Sequence, residues 1–239
     1  MPENVKNWIA IPVFNHSSKL KALTAESLAL CPNIVVIDDG STDQDIRKLL
    51  SETGIKVLSH QKNMGKGEAI RSAAKFICEK GGENMITLDA DGQHSPADIM
   101  KFADAISRGG GRLILGTRDF NSGKIPLASR TGRKISNFLV WLETGWKLKD
   151  TQSGFRSYPV EILKNIDCSS SRFAFETEII VKALWKGYEV EELDISVSYP
   201  VGKERISHFR FLKDNLRILF LHTKLLSWKI FKGSVEGRK

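Results

Sequence analysis

Five short apolar runs, separated by stretches of amphipathic character, set the fold class of this chain. They lie near residues 8–14, 34–38, 55–59, 85–89 and 112–117, each of strand length. Helices are expected in the gaps. Over residues 67–80, Ala69, Ile70, Ala73, Ala74 and Ile77 line one face while Arg71, Lys75 and Glu79 line another, which is the period of a helix seated on a sheet. Gly81 and Gly82 end it. Ser95 followed by Pro96 reads as an N-cap with proline at the first helical position, opening a helix to about Ser107. Alternation of this kind is the pattern of a mainly parallel sheet covered by helices. Beyond Arg118 the pattern loosens into expected helices at 135–146 and 173–185 and a strand at 190–199. Between the two helices, residues 150–156 are too polar for a core strand and too specific for a linker.

Directly behind the fourth apolar run stands Asp89-Ala90-Asp91-Gly92-Gln93-His94. In an extended chain residues i and i+2 point to the same side, so Asp89 and Asp91 are expected to emerge together at the carboxyl end of a strand, where open α/β sheets bind ligands. Two hard oxygen donors there suit Mg²⁺ or Mn²⁺, with Gln93 as a neutral third. Taken alone, the tripeptide reads equally well as a solvated turn. Its neighbours change the balance. The first strand ends in Pro12-Val13-Phe14-Asn15-His16, and the second runs into Asp38-Asp39-Gly40-Ser41-Thr42-Asp43. A proline there leaves backbone atoms free for a ligand, and the carboxylates can accept from a ribose hydroxyl or a base N–H. Polar clusters thus sit at three successive strand ends.

A formal charge of +8 over 239 residues favours anionic partners, whether nucleic acid, a membrane surface or phosphorylated substrates. No basic-aromatic recognition motif supports nucleic acid. Cys31, Cys78 and Cys168 are odd in number and far apart, so neither a disulfide framework nor a zinc knuckle is suggested. The amino-terminal residues carry no secretory signal pattern, and no run reaches the roughly 18 apolar residues of a spanning helix. The loop Asn63-Met64-Gly65-Lys66-Gly67 places a cation between glycines just before a helix, suited to approach a diphosphate. It is not a P-loop.

These motifs, together with Gly116-Thr117-Arg118 and Asp150-Thr151-Gln152-Ser153-Gly154-Phe155-Arg156, resemble those of family 2 glycosyltransferases, which have the nucleotide-sugar-binding fold called GT-A. Within that family the likeness is strongest to the dolichyl- and polyprenyl-phosphate sugar synthases. The resemblance implies a GT-A domain over residues 1–208, followed by a basic amphipathic segment, 209–239, that is not an independent domain. It implies that Pro12, Phe14, His16 and Asp39 hold the nucleoside, with His16 standing where relatives carry glutamate. Lys66, Asp89, Ala90, Asp91 and Arg205 or Lys203 would face the donor diphosphate, with Asp89, Asp91 and Gln93 around Mg²⁺ or Mn²⁺. Arg118 and Arg130, with Arg133 in reserve, would orient an acceptor phosphate through paired hydrogen bonds.

The implied reaction is a metal-assisted single displacement with inversion, passing a hexose from a GDP- or UDP-sugar to a polyprenyl or dolichyl phosphate. Asp91, Arg118 and Arg130 carry the catalytic expectation. A hydroxyl acceptor would need a general base, for which Glu176 and Glu178 are the candidates, and a non-catalytic nucleotide-sugar binder is the third possibility. In the last segment, Phe209, Leu212, Leu216, Leu219, Leu226 and Ile230 fit one helical face and Arg210, Lys213, Arg217 and Lys224 lie away from it. Such a helix either lies in an anionic membrane interface or packs on the domain. The expected location is peripheral, on the cytoplasmic face of a membrane.

Overall fold

The computed structural model describes residues 6–119, 127–198 and 211–236. In chain order the strands are β1 Asn7–Val13, β2 Ile34–Asp38, β3 Lys56–Ser59, β4 Asn84–Thr87, β5 Leu113–Arg118, β6 Arg156–Pro159 and β7 Val190–Ile195. The helices are α1 Leu20–Leu28, α2 Ile46–Leu49, α3 Lys66–Glu79, α4 Ile99–Ser107, α5 Leu127–Thr144, α6 Val160–Asn165, α7 Ala174–Trp185 and α8 Phe211–Glu236. One sheet runs β3-β2-β1-β4-β6-β5-β7. β1 is parallel to β2 and β4, β2 to β3, and β5 to β7. Only β6, among the described strands, runs antiparallel, wedged between β4 and β5.

The pleat sorts the apolar runs onto two helical layers. Ala10, Val35, Ile37, Met85, Leu113 and Leu115 share a buried cluster with Ile70 of α3, Ile179 of α7 and Leu221 of α8. Their neighbours Ile9, Ile11, Val36, Ile86 and Ile114 pack with Leu20 of α1, Ile46 of α2 and Phe102 of α4. Alternate residues of continuous apolar strands therefore serve opposite faces, as both-sided burial requires. Pro12 sits in the central strand β1 without breaking it. The last β4 rung is Ala10 against Thr87, so the missing N–H falls beyond that ladder.

The five expected strands and the helix over 67–80 are present within two residues of their expected ends. β6 was not expected as a strand. Arg156, Ser157, Tyr158 and Pro159 are all buried, and Arg156 survives there because its guanidinium donates to the carbonyls of Ser153, Glu176 and Thr151 at 2.5, 2.6 and 2.8 Å. Polarity excludes a residue from the core only where its hydrogen bonds go unmet.

The carboxyl-terminal helix packs on the domain through residues other than the apolar face its spacing offered. It seats Ile218, Leu221, His222 and Leu225 inward, with α5 and α7 as neighbours. Leu216, Leu219 and Ile230, assigned to the packing or membrane face, are exposed, as are Phe220 and Phe231. Phe209, Arg210 and the segment 199–208, with Lys203 and Arg205, lie outside the described residues.

Candidate active site

β4 stops at Thr87, so Asp89 and Asp91 leave the sheet in a turn, with Gly92 at φ 65°, rather than along an extended strand. The alternation that predicted a shared side does not reach them. They nevertheless sense one another: burial first, and then the Asp89 charge, raises the Asp91 carboxyl above its ordinary range. Asp91 accepts the Gln93 N–H on Oδ1 at 2.9 Å. Gln93 in turn accepts from Ser198 N through its carbonyl, which ties the turn to the strand region after β7.

Asp89 has a close partner in Lys66. The ammonium stands 2.5 Å from Asp89 Oδ1 and 2.8 Å from Glu176 Oε1. Burial alone would lower the lysine and raise the aspartate. The two carboxylates outweigh burial for Lys66, which is raised, and the ammonium outweighs it for Asp89, which is lowered. Lys66 begins α3 behind Gly65, whose φ is 100° and whose Cα lies so near Ser171 that a Cβ would strike its carbonyl oxygen. Gly67 N and Glu68 N both donate to that carbonyl. Opposite the ion pair is Gly154, where a Cβ would fall inside the contact radii of both the Asp89 carboxylate and the Lys66 ammonium. Glycine in this segment is therefore required by the close approach of a backbone to a charge pair.

Asp39, expected at the nucleoside, has both oxygens hydrogen-bonded to the chain itself. His60 Nδ1 and Met64 N contact Oδ1 at 2.7 and 2.9 Å, and Gly65 N and Asn63 Nδ2 donate to Oδ2 at 2.8 and 3.0 Å. Four partners fill a carboxylate's capacity, so Asp39 holds the Lys66 loop in place. Its neighbour Asp38 is half-buried and accepts Ser41 N on Oδ1 at 2.8 Å. Asn15, at φ 51°, accepts Thr42 N at 2.7 Å, and Asp43 accepts Ser17 N at 3.0 Å. These bonds join the loops after β1 and β2 into one rim carrying Pro12, Phe14 and His16. His16 Nδ1 lies 3.3 Å from Phe14 O.

Arg118 ends β5 and pairs with Asp150 in a two-point fork, Nε to Oδ2 at 2.7 Å and Nη2 to Oδ1 at 2.9 Å. Asp150 is fully buried, so the fork fixes the guanidinium plane. Asp150 opens the loop whose Gly154 abuts Asp89 and Lys66, so the fork stands on the loop that lines the acidic turn. α5 is laced to the same loop: Asn137 Oδ1 accepts Thr151 N at 3.1 Å, and Arg133 Nη1 and Asn137 Nδ2 donate to Lys149 O at 2.9 and 2.6 Å. Arg130 lies one turn before Arg133 and is half-buried. Asp150 and Glu176 carried no positioning role in the sequence; only their partners disclose one.

Glu178 accepts from Ser169 N, Ser169 Oγ and Ser170 N and pairs with Lys182 at 2.7 Å. Burial opposes ionisation there, but these donors hold the carboxyl at about 2, too weak a base to activate a hydroxyl. His94 is buried against Phe155 at 5.4 Å, and burial lowers it despite the nearby aspartates.

Among the described residues no cluster of three or more His, Cys, Asp or Glu forms a metal cage. The donor chemistry still fits a divalent ion. Asp89, Asp91 and Glu176 against Lys66 leave two negative charges, and oxygen-only sites for Mg²⁺ or Mn²⁺ ordinarily take phosphate and water in their remaining positions.

Residues 8–167 match the model of Glycosyl transferase family 2. The polyprenol monophosphomannose synthase of Mycolicibacterium smegmatis is 27% identical over 208 residues, covering 80% of this chain and 77% of that one. The UDP-N-acetylglucosamine–dolichyl-phosphate N-acetylglucosaminyltransferase of Methanococcus voltae is 27% identical over 215 residues, 80% of this chain and 85% of its own. In fold the chain is similar to glucosyl-3-phosphoglycerate synthase from Mycobacterium tuberculosis, solved with UDP, at a TM-score of 0.73 and 15% identity, covering 92% of this chain and 79% of that one.

Proposed function

The chain belongs to glycosyl transferase family 2, and from that premise we propose that it passes a hexose from a nucleoside-diphosphate sugar to a polyprenyl or dolichyl phosphate with inversion. The observation that carries the choice of acceptor is the Arg118–Asp150 fork, on the loop whose Gly154 abuts Asp89. A guanidinium whose plane is fixed by a buried carboxylate is matched in geometry and charge to a phosphate. That phosphate is already anionic near neutral pH, so attack needs alignment more than proton removal. A hydroxyl acceptor would need a base. Glu178 is held at about 2 and Glu176 is paired with Lys66.

In this mechanism Asp89 and Asp91 would hold Mg²⁺ or Mn²⁺, which would supply positive charge to offset that developing on the leaving diphosphate. The joined loops after β1 and β2 receive the nucleoside, and Arg130 and Arg133 extend the cationic surface from Arg118 along α5. Exposed Ile135, Phe138, Trp141 and Leu142 of α5 and Phe220 and Phe231 of α8, on a chain of charge +8, support a peripheral seat on the anionic cytoplasmic face of a membrane. No helix among the described residues is long and apolar enough to cross one.

The test is incubation with Mn²⁺ or Mg²⁺ and a panel of GDP- and UDP-sugars, with and without polyprenyl phosphate, following sugar transfer to the lipid phase. Transfer that requires polyprenyl phosphate is expected. Failure of every donor to bind refutes the enzyme assignment, and sedimentation with anionic liposomes tests the membrane seat separately.

A further inference from the structure

Lys66 stands where an ion would compete with it. Its side chain is 12% exposed and its ammonium bridges Asp89 Oδ1 and Glu176 Oε1 at 2.5 and 2.8 Å. At such a distance it occupies one acceptor position of Oδ1 and sets a positive charge where a metal on that oxygen would sit. Gly154 closes the other side, since even one added carbon there would meet both charges. Lys66 is also held by its backbone: Asp39 fixes Gly65 N, and Ser171 O fixes Gly67 N. A metal reaching Asp89 must therefore compete with the ammonium for this carboxylate, and with the backbone on either side of Lys66 held, the lysine stem is the part that can move. A diphosphate supplies what the ammonium would move toward, several anionic oxygens in contact with the same turn.

We propose that Lys66, anchored by Glu176, is a resident counter-ion of Asp89 that yields this carboxylate to the divalent ion only when a nucleoside diphosphate takes up its ammonium, making metal binding conditional on the donor. The donor's part in this rests on the glycosyltransferase reading; the occupation of Asp89 does not. Without the donor, a metal meets Asp91 and a neutralised Asp89. With it, both carboxylates and the diphosphate become available together.

The test measures Mn²⁺ binding to the full chain by electron paramagnetic resonance of the free ion, with no nucleotide and then with saturating UDP or GDP. Lys66→Met combined with Glu176→Gln removes one charge of each sign, so a change in the general field is largely avoided. Nucleotide-free Mn²⁺ affinity is expected to rise about tenfold or more, a shift of one decade in Kd. Adding Asp89→Asn to that pair should take the gain away, whereas Asp89→Asn alone should change nucleotide-free affinity less than threefold, on the order of the scatter of such measurements. The enhancement of Mn²⁺ binding by UDP or GDP should shrink in the double variant.

Unchanged or weaker nucleotide-free affinity in the double variant, or an equal Asp89→Asn effect in both backgrounds, overturns the proposal. So does absence of Mn²⁺ binding to every form. If the double variant does not fold by circular dichroism, Lys66→Gln carries the same comparison. Failure of UDP, GDP and all sugar donors to bind would remove the glycosyltransferase reading while leaving the nucleotide-free comparison decisive for the occupation of Asp89.

Discussion

Gly154→Ala probes the contact on which the site depends. Gly154 is not among the residues with positive φ, so alanine brings no backbone strain and, by restricting the unfolded chain, would stabilise an open position by about 0.4–1 kcal/mol. Here the added carbon meets the Asp89 carboxylate and the Lys66 ammonium. Overpacking costs about 1–3 kcal/mol, and separating a buried ion pair can add about 3–5 kcal/mol when one partner is left uncompensated. Partial relaxation of the lysine stem absorbs some of this, so a net loss of about 2–5 kcal/mol is expected. For a chain of this size each kcal/mol lowers Tm by about 2–4 °C. Urea unfolding followed by circular dichroism measures the loss, with Gly110→Ala as the reference, since a Cβ at Gly110 meets nothing within 4 Å. A Gly154→Ala protein within about 0.5 kcal/mol of wild type, the range of an ordinary surface change, would refute the close approach of this backbone to the charge pair.

Four further substitutions separate positioning, binding and stability. Asp150→Asn removes the charge that aims Arg118; KM for polyprenyl phosphate should rise about tenfold, near 1.4 kcal/mol, with donor affinity within twofold of wild type on the order of assay error, and an unchanged acceptor KM excludes the aiming role. Asp39→Asn should destabilise by about 2–4 kcal/mol because its donors lose a charged acceptor, whereas Asp38→Asn should leave Tm unchanged and weaken nucleotide binding, both readable by thermal unfolding with and without GDP or UDP; the reverse pattern restores Asp39 to the nucleoside. Glu178 is lowered from 4.5 to about 2, so its contribution to stability is present above pH 4.5 and is lost as pH falls toward 2. Wild type should therefore lose about 2–3 kcal/mol more than Glu178→Gln over that window, and parallel pH profiles would dismiss the ring of donors around it.

Much of the molecule was legible because its strands are short continuous apolar runs. Ile34–Asp38 begins and ends where its residues change from apolar to polar, and α3 follows the spacing of Ala69, Ile70, Ala73, Ala74 and Ile77. The motifs Asp89-Ala90-Asp91 and Asn63-Met64-Gly65-Lys66-Gly67 were visible as chemistry at strand ends. β6 was not visible, since Arg156 and Ser157 look like surface until the carbonyls of Thr151, Ser153 and Glu176 converge on the guanidinium. The inward face of α8 was likewise hidden, because Ile218, Leu221 and Leu225 compete in sequence with an equally apolar set that the structure leaves outside.

By itself the sequence determined the mainly parallel sheet covered by helices and the acidic motif behind its fourth strand, which follow from local periodicity and residue type. Tertiary structure decided what each charge does. Asp39 became a loop anchor, Asp150 the guide of Arg118, and Glu176 the second hold on Lys66. A carboxylate's role depends on which donors reach it through space, and those donors stand 21 to 110 positions away in the chain, a distance over which no local pattern carries information.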